Sequence, residues 1–179
     1  MSEPLQVLFV CTANISRSPY LELSARLLAG EDSEVVFSSA GTHGFDARSM
    51  DEGMVPLLPE GVSADGHASR RLTADLVRDA DLVLTAEAAH RNFILEEFPQ
   101  HFRKVFTLGQ FAATIEDHPG LHGRELVAAA AARRAAARPE HDITDPYRRG
   151  RAASEAAADR MARMLDVIVP RLSSGATDV

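Results

Sequence analysis

The stretch Cys11-Thr12-Ala13-Asn14-Ile15-Ser16-Arg17-Ser18-Pro19 stands between two apolar segments of different period. Before it runs Leu5-Gln6-Val7-Leu8-Phe9-Val10, short and rich in β-branched and aromatic residues, which reads as a buried strand. After it, Leu21, Ala25 and Leu28 recur at helical spacing within Tyr20 to Leu28. Pro19 suits the first position of that helix and Ser18 its N-cap. A tight loop carrying one cysteine and one arginine thus joins the carboxyl end of a strand to a helix N-terminus. Open α/β sheets bind ligands there, and backbone N–H groups gather around anions there.

Working outward, Glu34-Val35-Val36-Phe37-Ser38-Ser39 reads as a second strand, followed by a glycine-containing loop from Ala40 to Phe45. Ser49 to Leu58 has helical spacing and ends at Pro59-Glu60-Gly61. Leu72 to Arg78 forms a short helix capped by Thr73. Asp81 to Thr85 is a third strand, Glu87 to Glu97 a helix with Phe93, Ile94 and Phe98 on its apolar side, and Lys104 to Thr107 a fourth strand. Strands alternating with helices imply a parallel sheet covered on both faces. The last helix spans about Arg151 to Leu172, with Ala157, Met161, Met164, Leu165, Ile168 and Leu172 along one face for covering the sheet. Pro170 weakens its final turn, and Ser173 to Val179 is expected to fray. Between Ala113 and His141 the pattern loosens. An alanine-rich surface helix is expected over Arg124 to Arg138, its Arg133, Arg134 and Arg138 forming a solvated face.

The 179 residues make one domain, residues 1–179, of ordinary globular composition, 45% hydrophobic and 25% charged. A net charge of −7 argues against nucleic acid as a partner. No apolar run approaches membrane-spanning length and Met1-Ser2-Glu3-Pro4 lacks the basic start of a signal peptide, so a cytoplasmic location is expected. One cysteine permits neither an internal disulfide nor a multi-cysteine metal site, and the seven histidines place no HxxxH pair on an expected helix. No metal is expected.

A free thiol has a pKa near about 8.5, and helix N-termini and nearby cations lower such values. The loop offers both to Cys11. A closed loop of this length lets the N–H groups from Thr12 through Ala13, Asn14, Ile15 and Ser16 to Arg17 point inward as a nest. The planar fork of Arg17 suits two phosphoryl oxygens at once, and the Ser18 hydroxyl can donate to the sulfur. The alternative is a buried core thiol at the end of a strand, which spacing alone leaves open. Thiolate attack on a phosphomonoester needs a proton for the departing oxygen. Asp145, held in a loop by Pro146, is the leading candidate, Asp142 the nearest rival, and simple turn chemistry the other reading of Asp-Pro.

Cys11 through Pro19 resembles the signature loop of the low-molecular-weight protein tyrosine phosphatases. The similarity extends to Ser39-Ala40-Gly41-Thr42, His67-Ala68-Ser69-Arg70, Ala80 to Thr85, and Asp145-Pro146-Tyr147, in the family's order. The resemblance implies a single α/β domain, a four-stranded parallel sheet flanked by helices in a Rossmann-like three-layer arrangement. It implies a cofactor-free, two-step hydrolysis of phosphotyrosine protein or aryl phosphate, with Cys11 as nucleophile, Arg17 and the loop N–H groups holding the phosphoryl oxygens, and Asp145 as acid, then base. Asn14, Ser18, Ser39 and His67 would shape the loop, Tyr147 and Phe45 would line the aromatic slot, and phosphate-like oxyanions would inhibit. Two loop residues depart from the family. Ala13 replaces a glycine, which is compatible with activity if its φ stays negative, and Ser16 replaces a second cysteine, which removes an internal disulfide guard for Cys11. The segment 113–141 is longer than the family's core requires, and its Ala/Arg bias is like that of high-GC bacterial chains. Two other readings stand beside this one: a single-cysteine arsenate reductase using an external thiol, and a non-catalytic phosphate- or phosphotyrosine-binding module.

Overall fold

The computed structural model describes residues 3–173. Four strands, β1 (Leu5–Cys11), β2 (Val35–Gly41), β3 (Leu82–Thr85) and β4 (Val105–Thr107), form one parallel sheet in the order β2-β1-β3-β4. Six α-helices connect them: α1 (Arg17–Ala29), α2 (Ala74–Asp79), α3 (Ala88–Glu97), α4 (Leu108–Glu116), α5 (Gly123–Ala132) and α6 (Arg151–Leu172). The order reverses direction at β1, with β2 on one side and β3 on the other. The carboxyl ends of β1 and β3 therefore flank the switch point, where such sheets open a crevice.

Alternation along the strands divides the core in two. Val7, Phe9, Phe37, Leu84 and Phe106 face α1, α4, α5 and α6, whereas Leu8, Val10, Val83 and Val105 face Val77 of α2 and Ile94 of α3. Phe9 stacks on Phe37 at 5.9 Å, and Phe111 of α4 meets Phe106 edge-on at 5.3 Å. β1 is paired on both sides over Val7 to Val10, which makes it the most rigid carrier available for the loop that follows it. Cys11 lies opposite Gly41 in the register, and a side chain at Gly41 would meet the Thr12 carbonyl oxygen at 2.6 Å.

The strands and the last helix stand where the sequence places them, within a residue or two. Several expectations are corrected. Ser18 is not the N-cap: α1 begins at Arg17, with Ser16 at the cap making no side-chain capping bond, and the Ser18 hydroxyl is turned to Cys11. Leu28, expected on the buried side of α1, is exposed. Residues 49–58 form only a 3-10 turn at Val55–Leu57, because the Asp51 N–H is taken by the Ile15 carbonyl at 2.7 Å and Pro56 has no N–H to give. Helix α4 had no counterpart in the sequence reading. The alanine-rich helix stops at Ala132 and buries Leu126, Val127 and Ala130. Arg134 belongs to no solvated face: its guanidinium lies 4.1 Å over Phe106 and donates to the carbonyls of Phe102 and Arg103, which pulls the chain out of helix. α6 packs along α1 and against α4 and α5. The tail expected to fray lies, from residue 174 on, outside the described residues. No helix among the described residues is long and apolar enough to cross a membrane.

Candidate active site

The loop between β1 and α1 is held from outside by its carbonyl groups. Cys11 O accepts from Thr42 N, Thr12 O from His43 N, Asn14 O from His67 Nε2 and Ile15 O from Asp51 N, all at 2.7–2.9 Å. Across a planar trans peptide the next N–H points opposite to the carbonyl, and no described peptide bond is cis. The N–H groups of Thr12, Ala13, Ile15 and Ser16 therefore face the inside of the loop. This is an anion nest with its donors displayed by four external bonds.

Asn14 is the keystone of that arrangement. It is fully buried with φ +57°, a left-handed conformation that asparagine tolerates better than most residues. Its Nδ2 donates to Ser18 Oγ and to Ser39 Oγ, each at 2.9 Å, and its Oδ1 accepts from Arg70 N at 3.0 Å. Ser39 in turn donates to Glu22. Ser18 Oγ accepts from Asn14 and has two acceptors within reach of its own proton, Cys11 Sγ at 3.0 Å and the Ala40 carbonyl at 3.4 Å. The expected network of Asn14, Ser18, Ser39 and His67 is thus brought together around the buried thiol. Ala13 is absent from the non-glycine residues with positive φ, which are Asn14, Ala47 and Arg148, so its methyl is accommodated. That methyl occupies the place a side chain at Gly44 would need, 3.1 Å away. Ser16 Oγ donates to Asp51 Oδ2 at 3.2 Å.

Arg17 is only 2% exposed. Its Nη1 donates at 2.7 Å to both Glu87 Oε1 and the Ile143 carbonyl, and its Nη2 lies 3.6 Å from Asp145 Oδ2. Its buried Nε–H has no hydrogen-bond partner. One edge of the fork is therefore anchored, and the Nε edge keeps a donor in reserve. Asp145 stands beside Arg17 as expected, whereas Asp142, its rival, is occupied: Oδ1 accepts from Ala88 N at 2.8 Å, at the start of α3. Tyr147 N donates back to Asp145 Oδ1 at 3.2 Å. Tyr147 and Phe45, 38% and 73% exposed, line one cleft of about 880 Å³ together with Ala13, Ile15, Arg48 and Arg148.

Sequence reasoning missed Glu87 and His90. Glu87 N donates to His90 Nδ1 at 3.1 Å, which places the imidazole proton on Nε2, and this donates to Thr12 Oγ1 at 2.8 Å. Burial, with Arg17 nearby, pushes the His90 pKa down to about 4, so the ring is neutral at ordinary pH. The first turn of α3 thus grips both ends of the loop, Thr12 and Arg17. One signal was available: Glu87 follows the carboxyl end of β3, beside β1 at the switch point.

A model of the low molecular weight phosphotyrosine protein phosphatases matches residues 6–122. The chain is 37% identical over 106 residues to the low molecular weight protein-tyrosine-phosphatase Etp of Escherichia coli (strain K12), covering 59% of this chain and 70% of that one. It is 32% identical over 123 residues to the protein-arginine-phosphatase of Bacillus subtilis (strain 168), covering 68% and 78%. Among solved structures, the Erwinia amylovora tyrosine phosphatase AmsI superposes with a TM-score of 0.72 at 27% identity, covering 94% of this chain and 93% of that one. The matched family model, the loop and the shared fold agree: this chain belongs to the low molecular weight phosphotyrosine protein phosphatase family.

Proposed function

We propose that this chain hydrolyses phosphotyrosine and other aryl phosphomonoesters through a cysteinyl-phosphate. Cys11 Sγ attacks phosphorus while the ester P–O bond breaks, and Asp145 gives its proton to the departing phenol oxygen. Asp145, now a carboxylate, takes a proton from water as the water oxygen attacks phosphorus. The S–P bond then breaks, releasing inorganic phosphate and restoring the thiolate. Arg17 supplies its Nε edge, and the loop its inward N–H groups, to the equatorial oxygens, which carry more charge in the transition state than in the ester. The Ser18 hydroxyl stabilises sulfur as nucleophile and as leaving group.

The observation that carries this reading is the pairing of Asp145 with the buried arginine of the loop that begins at Cys11. Arg17 lies 3.6 Å from Asp145, and Ser18 lies 3.0 Å from the sulfur. A binding module needs neither a thiolate nor an acid beside the arginine, and family membership favours the phosphatase over the arsenate reductase. The aromatic walls Tyr147 and Phe45 favour an aryl ester. The test is turnover of p-nitrophenyl phosphate and a phosphotyrosine peptide without added metal, with phosphoarginine and arsenate plus thiol as comparison substrates and vanadate as inhibitor. Aryl ester turnover, lost in Cys11→Ser, is expected. Turnover of phosphoarginine or arsenate alone refutes the assignment. Tyr147→Ala is expected to reduce the preference for aryl over alkyl phosphates, and an unchanged preference removes its role.

A further inference from the structure

Two arginines stand at the mouth of the cleft, one on each aromatic wall. The Arg48 guanidinium lies 5.5 Å over the Phe45 ring, and that of Arg148 lies 5.1 Å over Tyr147. Arg48 and Arg148 both line the cleft. Among the described residues no ion pair involves either one, although the chain carries a net charge of −7. Two arginines outside any ion pair thus stand in one cleft with Ala13 and Ile15 of the loop that follows Cys11, where each offers an anion a guanidinium.

The backbone under both is held in an unusual way. Ala47, immediately before Arg48, has φ +60°, and Arg148 itself has φ +57°, left-handed conformations that non-glycine residues rarely adopt. Arg48 is pinned by its own N–H to Ser69 Oγ at 3.0 Å and by its carbonyl to Ser69 N at 2.8 Å. The Arg148 turn is pinned by Arg149 N to Pro146 O at 3.0 Å. Ring and turn together limit where each guanidinium can go, so less side-chain entropy is lost when an anion is bound. Asp51, which accepts from Ser16 Oγ at 3.2 Å, and Glu52 line the same cleft, so its rim carries both signs, with the two guanidiniums set on the Phe45 and Tyr147 walls. Arg148, with Asp51 and Glu52, also lines a second hollow of about 460 Å³ beside Pro56, Leu57 and Pro146, which extends the surface a chain could lie along.

We propose that the mouth recognises acidic side chains flanking the phosphotyrosine of a polypeptide substrate, through Arg48 on one wall and Arg148 on the other. This deepens the aryl-phosphatase reading and rests on it. Carboxylates on either side of the reacting residue would reach the two guanidiniums while the ring occupies the slot between Phe45 and Tyr147. Exposed charge pairs of this kind act mostly on encounter and are screened by salt, so the expected effect per arginine is a roughly two- to fivefold change in kcat/KM.

The experiment compares kcat/KM on phosphotyrosine peptides that differ only in carrying Asp/Glu or Asn/Gln beside the phosphotyrosine. Wild type, Arg48→Ala, Arg148→Ala and the double variant are measured, each enzyme serving as its own reference through the acidic-to-amide ratio. The ratio is expected to exceed one in wild type, to shrink as salt is raised, to fall in each single variant and to approach one in the double variant. Arg48→Lys and Arg148→Lys keep the charge and are expected to retain most of the preference, which separates the charge from the fold of the rim. A wild-type ratio of one overturns the proposal while leaving the phosphatase reading intact, since both peptides are still hydrolysed. A preference that survives in the double variant, or that ignores salt, overturns it as well. Hydrolysis of neither peptide, with p-nitrophenyl phosphate also untouched, refutes the underlying activity instead.

Discussion

Replacing Glu87 by alanine removes the closest counter-charge of Arg17, a side chain that is 2% exposed and bonded to Glu87 at 2.7 Å. Stranding a fully buried charge costs about 3–5 kcal/mol. Two features reduce that here: the Glu87 side chain is 27% exposed, and Asp145 remains 3.6 Å from Nη2. A loss of about 2 kcal/mol is the reasonable expectation, which for a chain of this size is roughly 4–8 °C in Tm. Phosphate or vanadate brings negative charge to the same guanidinium, so the variant should gain more thermal stability from saturating oxyanion than wild type does. Turnover should fall too, because Asp145 becomes the main partner of Arg17 and is drawn away from the proton-donor role proposed for it. Glu87→Gln keeps the shape and a hydrogen-bond acceptor and should fall between the two. Thermal unfolding with and without phosphate reads all of this. If Glu87→Ala melts within a degree of wild type and responds equally to phosphate, Arg17 does not depend on Glu87 and the account of its anchored edge is wrong.

Asp145→Ala should lower kcat by about 10²–10⁴ on esters of poor leaving groups and much less on p-nitrophenyl phosphate, whose phenolate departs without a proton; equal losses on both would rule out its role as acid. For His90, whose folded pKa near 4 lies below the ordinary 6.5, the unfolded chain binds more protons between those values. Its stabilising contribution is present above pH 6.5 and is lost as pH falls toward 4, in total about 3 kcal/mol. Denaturant midpoints at pH 7 and pH 5 should differ less in His90→Gln than in wild type, and an unchanged difference would show that another group titrates. Gly41→Ala would drive a methyl to 2.6 Å from the Thr12 carbonyl oxygen, so oxyanion affinity should weaken even if the chain folds; wild-type vanadate inhibition would mean the loop can yield there.

How much was legible follows the distance along the chain over which each feature is encoded. The loop from Cys11 to Arg17 is contiguous, with strand period before it and helix period after it, so the chemistry proposed for it could be read before any fold. Asp145 was preferred to Asp142 because Asp-Pro is a local conformational signal, but what sets Asp142 aside was not visible. Ala88 N, 54 residues away, donates to the Asp142 carboxylate. The expected helix over 49–58 failed because local periodicity at Met50, Met54 and Leu57 lost to one long-range bond, Asp51 N to Ile15 O. Arg134 failed in the same way: its sequence neighbours are alanines and another arginine, and its actual partners are Phe106 and carbonyls 31 and 32 residues away.

The sequence by itself determined which residues can do chemistry here: one thiol, an arginine six positions on, and an acid held off helix by proline. It also determined that strand and helix meet at the thiol. Tertiary structure alone decided what surrounds them. Glu87 reaches Arg17 across 70 residues, and the Ile143 carbonyl reaches it across 126. Both contacts exist only because β3 pairs with β1 in parallel and brings their carboxyl ends side by side. Periodicity and turn chemistry report on neighbours in the chain, whereas charge balance around a buried guanidinium is set by whichever elements the sheet's register carries to it.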